Sequence, residues 1–384
     1  MGMVFSESDA KGAVVELLRP AGVQLNGDYP WDIRVHDPRV YKRILRHGSL
    51  GLGEAYMDGW WDCQSLDEMF ARLLRAGIDR KVPWNLTTIW HTLSARLVNL
   101  PRLRAFAVGE RHYDVGNDLY KAMLDSRLAY TCGYWADATT LEQAQLAKLD
   151  LVCRKLGLHD GDRILDIGSG WGSFILYAAQ RFHATCTGVT VSLLQCAYAN
   201  TRAHRLPSSV PPPVTLLQDY QDTQGTYDHV VSLGMFEHVG AQNHRSFLRE
   251  VRRLLRPGGL FLLHTIGSSR TKTAADPWIS KYIFPNSLIP SARQLTDALE
   301  GLFVIEDWHN FGPDYDRTLM AWFGNFDQHW HRNSLFREKY GERFYRMWKY
   351  YLLVSAASFR ARTNQLWQLV LSPDGIRGGY HSVR

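Results

Sequence analysis

Asp166, Gly168, Gly170 and Gly172 fall in one run, ILDIGSGWG, where an acidic side chain ends a strand-like segment and glycines open the turn into a helix. Glycine lets a bound molecule approach the backbone, and the start of a helix offers it free N–H groups. A dinucleotide is the obvious ligand to test against this run. Its fingerprint is G-x-G-x-x-G, however, and here the third glycine comes one residue early. A second run, Tyr130–Trp135 (YTCGYW), sets the thiol of Cys132 among aromatic rings ahead of a long helical pattern. That thiol is either a nucleophile or a buried spacer. His329 and His331 (HWH) look like a metal pair, but residues i and i+2 face apart on a helix, so no metal is expected.

These groups need elements to position them. From about residue 141 the sequence alternates helix LEQAQLAKLDLVCRKLGL, strand RILDIG, helix WGSFILYAAQRF, strand ATCTGVTV, helix SLLQCAYANTRAH, strands VTLLQ and YDHVVSL, helix NHRSFLREVRRLL and strand GLFLLHTI. Repeated β-α units predict an α/β domain with a mostly parallel sheet and helices on both faces. GLFVIEDWHNF and QLWQLVLS add two strands, separated by an aromatic, Arg-rich insert at about 315–363 that is expected to form helices over the carboxyl edge of the sheet. The first 108 residues read as a small, mainly helical N-terminal domain, and residues 109–384 as a second, α/β domain. DPRVYKRILRHG should end at Gly48, and SLDEMFARLLRAG should start on a capping box of Ser65 and Glu68. The glycine-rich GSLGLGEAYMDGWWDC between them reads as a buried turn, and residues 83–107 as a linker lying along a protein or lipid surface.

Composition narrows the class. Hydrophobic residues make up 45% and charged residues 21% of 384, as in a globular protein with a sizeable core. The net charge of +6 comes from Arg-rich stretches at 96–112 and 245–256, which would suit an anionic partner. Without zinc-finger spacing, RNP motif or continuous basic arm, nucleic acid is not expected. Five cysteines with no CxxC spacing point to a reducing cytoplasm. No run of 18 uncharged apolar residues occurs, so any membrane association would be peripheral.

The D-x-G-x-G-x-G order of Asp166 to Gly172, with the Pro-Gly-Gly turn of LLRPGGLFLLHT downstream, resembles class I methyltransferases that bind S-adenosylmethionine. That resemblance implies a Rossmann-like seven-stranded sheet. Most such enzymes hold the ribose with an acid at the end of the second strand, whereas this strand ends GVTVS. Thr190, Val191 and Gln195 are placed to make those contacts without charge. Gln218 and Asp219 in LLQDYQD are placed for the adenine, although Asp219 equally fits a turn.

LGMFEHVG, LLHTIGS, DPWISKYIFPN, EDWHNFGPDYDRTLMAW, SFRARTNQLWQLV and GSLGLGEAYMDGWWDC together resemble the cyclopropane-fatty-acyl-phospholipid synthases, the family that also holds mycolic acid cyclopropane synthases. The likeness runs from about Asp32 to Val370. It implies transfer of a methyl group from S-adenosylmethionine to a cis double bond of a phospholipid acyl chain, then loss of a proton from the new methyl to bound bicarbonate. By motif, Glu237, His264, Tyr315 and the backbone of Cys132 and Ile266 would form the bicarbonate cage. Tyr130, Thr131, Gly168 and Gly170 would meet the cofactor. The aromatic surplus would wall an acyl pocket, and the partners would be unsaturated phospholipids at the inner face of the cytoplasmic membrane. A homodimer is expected. Two departures stand out: Ser169 replaces a common Cys, and no Cys occurs near Ser355. An N-, O- or C-methyltransferase acting on another substrate and a non-enzymatic lipid-binding protein are the alternative readings.

Overall fold

The computed structural model describes residues 6–80, 116–285 and 287–384. The proposed linker 83–107 and the basic stretch 96–112 lie outside the described residues. The chain divides into two compact units, Met1–Asn99 with Ala274–Asn286 and Leu319–Asn364, and Leu100–Thr273 with Ser287–Thr318 and Gln365–Arg384. Two later segments therefore join the N-terminal one, a grouping that a boundary at residue 108 does not capture.

The second unit is built on a seven-stranded sheet of order β5-β4-β3-β6-β7-β9-β8. Its strands are β3 (Arg163–Ile167), β4 (Thr185–Thr190), β5 (Val214–Leu217), β6 (Tyr227–Leu233), β7 (Leu255–Ser268), β8 (Val304–Asn310) and β9 (Asn364–Ser372). β5, β4, β3, β6 and β7 pair in parallel, and β8 runs antiparallel to β9. This is the class I methyltransferase sheet.

The strands of this sheet form where the sequence expects them; the central β3, β6 and β7 are apolar runs buried on both faces of the parallel part of the sheet, whereas the edge strands β5 and β8 are largely exposed. The helix His244–Leu254 shows how the layers join. His244, Phe247, Leu248, Val251 and Leu254 recur at helical spacing and are all buried on the sheet. Burying each large apolar chain contributes about 1.5–3 kcal/mol. Most arginines of this stretch are structural staples. Arg245 donates to the carbonyls of Ala298 and Glu300, Arg252 to those of Leu302 and Pro373, and Arg253 to that of Thr223, while Arg256 pairs with Asp228. The basic stretch 245–256 thus spends much of its charge inside the unit.

In the first unit, β1 (Arg34–Val35) and β2 (Trp61–Asp62) form a two-stranded antiparallel ribbon among helices. Two sequence expectations fail here. The segment after Gly48 is helical: one helix is assigned over Arg39–Met57, kinked at Gly48, whose φ is 55°. Its glycines serve close packing instead of a turn. A Cβ on Gly51 would fall 2.3 Å from the Arg43 carbonyl oxygen, and one on Gly53 2.4 Å from the Trp278 ring. Ser65 caps the helix Leu66–Arg75 without a side-chain hydrogen bond, and Glu68 pairs with Arg72 at 2.9 Å instead of closing a capping box.

Close approach also fixes β7 against β9. A Cβ on Gly267 would meet the Trp367 ring at 2.3 Å. Gly267→Ala should therefore destabilise the protein by about 1–3 kcal/mol. A lowered denaturant midpoint at unchanged m-value would show this, and an unchanged midpoint would refute the packing argument.

Candidate active site

The turn after β3 is built as its glycines require. Gly168 and Gly170 have φ of 83° and 55°, a region side chains rarely adopt. The N–H groups of Gly168 and Ser169 both donate to Val189 O at 3.0 Å, which pins the turn to β4. A Cβ on Gly170 would meet nothing within 4 Å, so that residue borders open space. A cleft of about 660 Å3, open to solvent, is lined by Tyr130, Thr131, Asp166, Gly168, Ser169, Gly170, Gln195, Met235 and His238, among others. Asp166 is buried and its Oδ1 has no protein partner, while burial pushes its pKa up to about 7. An orphaned carboxylate oxygen beside a glycine-lined cleft fits the polar, cationic cofactor expected there.

The Tyr130–Trp135 loop is held from two sides. From the helix Leu141–Leu156, Gln145 donates to Thr131 O at 2.7 Å and Lys148 Nζ to Thr131 Oγ1 at 2.7 Å. From the helix Pro313–Arg332, the buried Thr318 hydroxyl accepts from Gly133 N at 3.1 Å and from Trp135 Nε1 at 2.8 Å, and Asp314 accepts from Trp135 N at 2.7 Å. Thr131 also packs against the end of β6: a Cβ on Gly234 would lie 2.7 Å from Thr131 Cγ2. Tyr315 is buried three residues before Thr318, on the same face of that helix.

Gln145 and Lys148 escaped the sequence reading. Their signal was present: both fall at core positions of an apolar helical stripe with Leu141 and Val152. Burial pushes Lys148 down to about 8, against the pull of Asp125 and Asp166.

Glu237 follows the end of β6, and His264 lies in β7 opposite the last residue of β6. Leu233 pairs with His264, and Gly234 N donates to His264 O at 2.8 Å. Glu237 Oε1 accepts from Ile266 N at 2.6 Å, while Oε2 is buried without a protein partner. Burial pushes Glu237 up to about 7, opposed by that backbone bond. Burial holds His264 well below its usual range, helped by the positive charge of Lys148 and Lys155. Its Nε2 has no protein partner.

One expectation is corrected. The Ile266 N–H was assigned to the anion, but it is engaged by Glu237, so it orients the carboxylate instead.

The remaining residues expected to meet the cofactor cluster at the ends of β4 and β5. Thr190 Oγ1 donates to Gln195 Oε1 at 2.9 Å, and Gln218 N donates to Thr190 O at 3.0 Å. Val191 lies between Thr190 and Ser192, which caps the helix Leu193–Ala203. Asp219 accepts from Gln221 N at 2.9 Å through Oδ1 and so caps a short turn. Of this group, Gln195 reaches the cleft lining, which does not include Thr190, Val191, Gln218 or Asp219.

The sheet order, the glycine turn and the buried acid at the end of β3 define a class I S-adenosylmethionine-dependent methyltransferase. Residues 102–369 match the family described as mycolic acid cyclopropane synthetase, and the chain belongs to that family. It is 49% identical over 370 residues to the cyclopropane-fatty-acyl-phospholipid synthase of Escherichia coli, a match covering 96% of this chain and 94% of the relative. Among solved structures it is similar to the cyclopropane synthase MmaA2 from Mycobacterium tuberculosis, with a TM-score of 0.65 at 29% identity over 69% of this chain and 97% of that one. A similar match, with a TM-score of 0.64 at 27% identity over the same shares, is to the mycolic acid cyclopropane synthase CmaA1 complexed with SAH and CTAB.

Cys132 is fully buried. Its Sγ lies 3.1 Å from Gly133 O, and burial, with Asp314 adding to it, raises its pKa well above the ordinary thiol value. A thiol so held is no nucleophile. Cys132→Ser should keep most of the activity at unchanged S-adenosylmethionine affinity. Near-complete loss in a folded variant would overturn the spacer role.

Asp166 generates a pH prediction. A bound sulfonium cation favours the ionised carboxylate and lowers its pKa, so binding should release protons near pH 7 and affinity should rise from about pH 6 to 8. Lys148, losing charge near 8, acts in the same direction. Calorimetry in two buffers of different ionisation enthalpy measures the release. Proton uptake, or an unchanged pH profile in Asp166→Asn, would refute it.

Proposed function

We propose that this methyltransferase is a cyclopropane-fatty-acyl-phospholipid synthase acting on cis-unsaturated acyl chains of phospholipids. The observation that carries the reading is the pair of buried, unpartnered polar atoms, Glu237 Oε2 and His264 Nε2, held beside the end of β6 in a chain 49% identical to the Escherichia coli enzyme of that name. Adding a methyl group to an alkene breaks the methyl–sulfur bond, forms a carbon–carbon bond and leaves a carbocation. Loss of a proton from the new methyl carbon then closes the three-membered ring. When bound, S-adenosylmethionine supplies the electrophilic methyl and bicarbonate a proton acceptor.

The chain's own groups hold, orient and shield. Asp166, the glycine turn, Tyr130 and Thr131 border the cofactor cleft. Neutral His264 and the Tyr315 hydroxyl would donate hydrogen bonds to an anion, and Glu237, oriented by Ile266, would accept one from it. So acidic a cation needs no strong base, only exclusion of water and competing nucleophiles. Aromatic faces stabilise such positive charge. Rings are plentiful in this chain, and the acyl pocket is proposed to draw its walls from them.

None of the described helices is long and apolar enough to cross a membrane. Peripheral association with the cytoplasmic face, a homodimer, and lipid association or dimerisation through the N-terminal region complete the proposal.

Labelled S-adenosylmethionine and vesicles of cis-unsaturated phospholipid test it. The lipid should gain one CH2 and lose its alkene, and Glu237→Ala should cut turnover far more than cofactor binding. Transfer to a soluble amine with no labelled lipid would sink the proposal, while a methyl-branched product would move the enzyme to another branch. Equal losses of turnover and binding in Glu237→Ala would argue that this residue serves the cofactor.

A further inference from the structure

We propose that Gln368 is a positioning residue that fixes the tautomer of His264, so that the protonated Nε2 faces the reaction site. This deepens the proposed cage, and it rests on that reading only for what Nε2–H donates to.

Gln368 lies in β9 between Leu366 and Leu371, where every other residue is apolar, and all six are buried. An amide there is costly unless it is hydrogen-bonded. Among the described residues its bond is to His264: Gln368 Nε2 lies 3.2 Å from His264 Nδ1, across the neighbouring strand. Gln368 Oε1 has no protein partner. With the amide nitrogen facing the ring, Gln368 donates and Nδ1 accepts. A neutral imidazole carries one N–H, and with Nδ1 accepting, that proton is on Nε2.

Burial and the nearby positive charge of Lys148 and Lys155 keep the ring neutral, so the tautomer decides what the ring can do. Phe311 flanks it edge-on, 6.0 Å between centroids. With Nε2 protonated, the orphaned nitrogen is a donor suited to an anion. With the proton on Nδ1, a lone pair would face that anion and repel it. Gln368 touches His264, and nothing assigns it contact with substrate or cofactor, so its effect is on geometry and protonation.

Nitrogen NMR of 15N-histidine-labelled enzyme, with the His264 signals assigned by loss in His264→Asn, reads the tautomer directly. The wild type should show Nε2 protonated and Nδ1 bare. Gln368→Met, of similar volume and apolar like its neighbours, should weaken that preference and lower kcat about tenfold, the value of one net hydrogen bond, at unchanged KM for S-adenosylmethionine. Gln368→Glu, whose carboxylate accepts instead of donating, should place a proton on Nδ1. A wild-type ring protonated on Nδ1 overturns the inference, and that spectrum needs no variant to fold. A Gln368→Met enzyme with wild-type spectrum and kcat overturns it as well. If the wild-type Nε2 signal and the activity both ignore added bicarbonate, the tautomer assignment stands and the anion cage falls.

Discussion

A carboxyl group buried at the end of a strand is costly unless something holds it, and here the hydrogen bond from Ile266 N–H to Glu237 Oε1 does so. It ties the turn after β6 to the backbone of β7. It also takes up one oxygen, so the other is left to meet whatever enters. The carbonyl of Glu237 accepts from Leu288 N at 2.8 Å, which fixes the same residue from the opposite direction. With that residue set, the end of β6 becomes a rigid post. Gly234, three residues earlier, offers the side-chain-free surface against which Thr131 packs.

The Tyr130–Trp135 loop inherits its shape from that post and from two helices that are distant in sequence. Thr318 receives two donors from the loop and passes its own proton to Asp314 O at 2.8 Å, so its hydroxyl is fully used. Lys148 does the corresponding work on the other side, reaching Thr131 while its charge is balanced through space by Asp125 and Asp166. A buried ammonium without nearby carboxylates would be neutral or would open the fold. Cofactor cleft and proposed anion cage are thereby linked through one short loop: Thr131 faces the cleft, and the Cys132–Gly133 backbone lies beside the helix that carries Tyr315.

The central strands of the sheet were legible because they are apolar runs rich in branched residues, and a parallel sheet buries both faces of such runs. The glycine turn was legible because positive φ selects glycine. Failures came where long-range packing overrides local preference. Glycine argued against a helix after Gly48, yet Trp278, more than two hundred residues on, presses so closely that only glycine fits at position 53. Asp219 caps a short turn through one oxygen, a contact that its expected place beside the adenine allows. No sequence pattern reveals which backbone N–H a carboxylate will claim, so the bond from Ile266 N to Glu237 emerges only in the fold.

What the sequence determined by itself was the order of strands and helices, the cofactor turn, and the presence of Glu237, His264 and Tyr315 in recognisable runs. Hydrophobic period and glycine conformation are local properties, and motif spacing is written in the chain. Only the tertiary structure decided how those residues are held. It grouped residues 274–286 and 319–364 with the N-terminal segment, turned Lys148 and Gln145 inward, gave the Ile266 N–H to Glu237 and set Gln368 beside His264. Each of these joins residues far apart in sequence, and burial makes an unmet hydrogen bond expensive enough to select one arrangement.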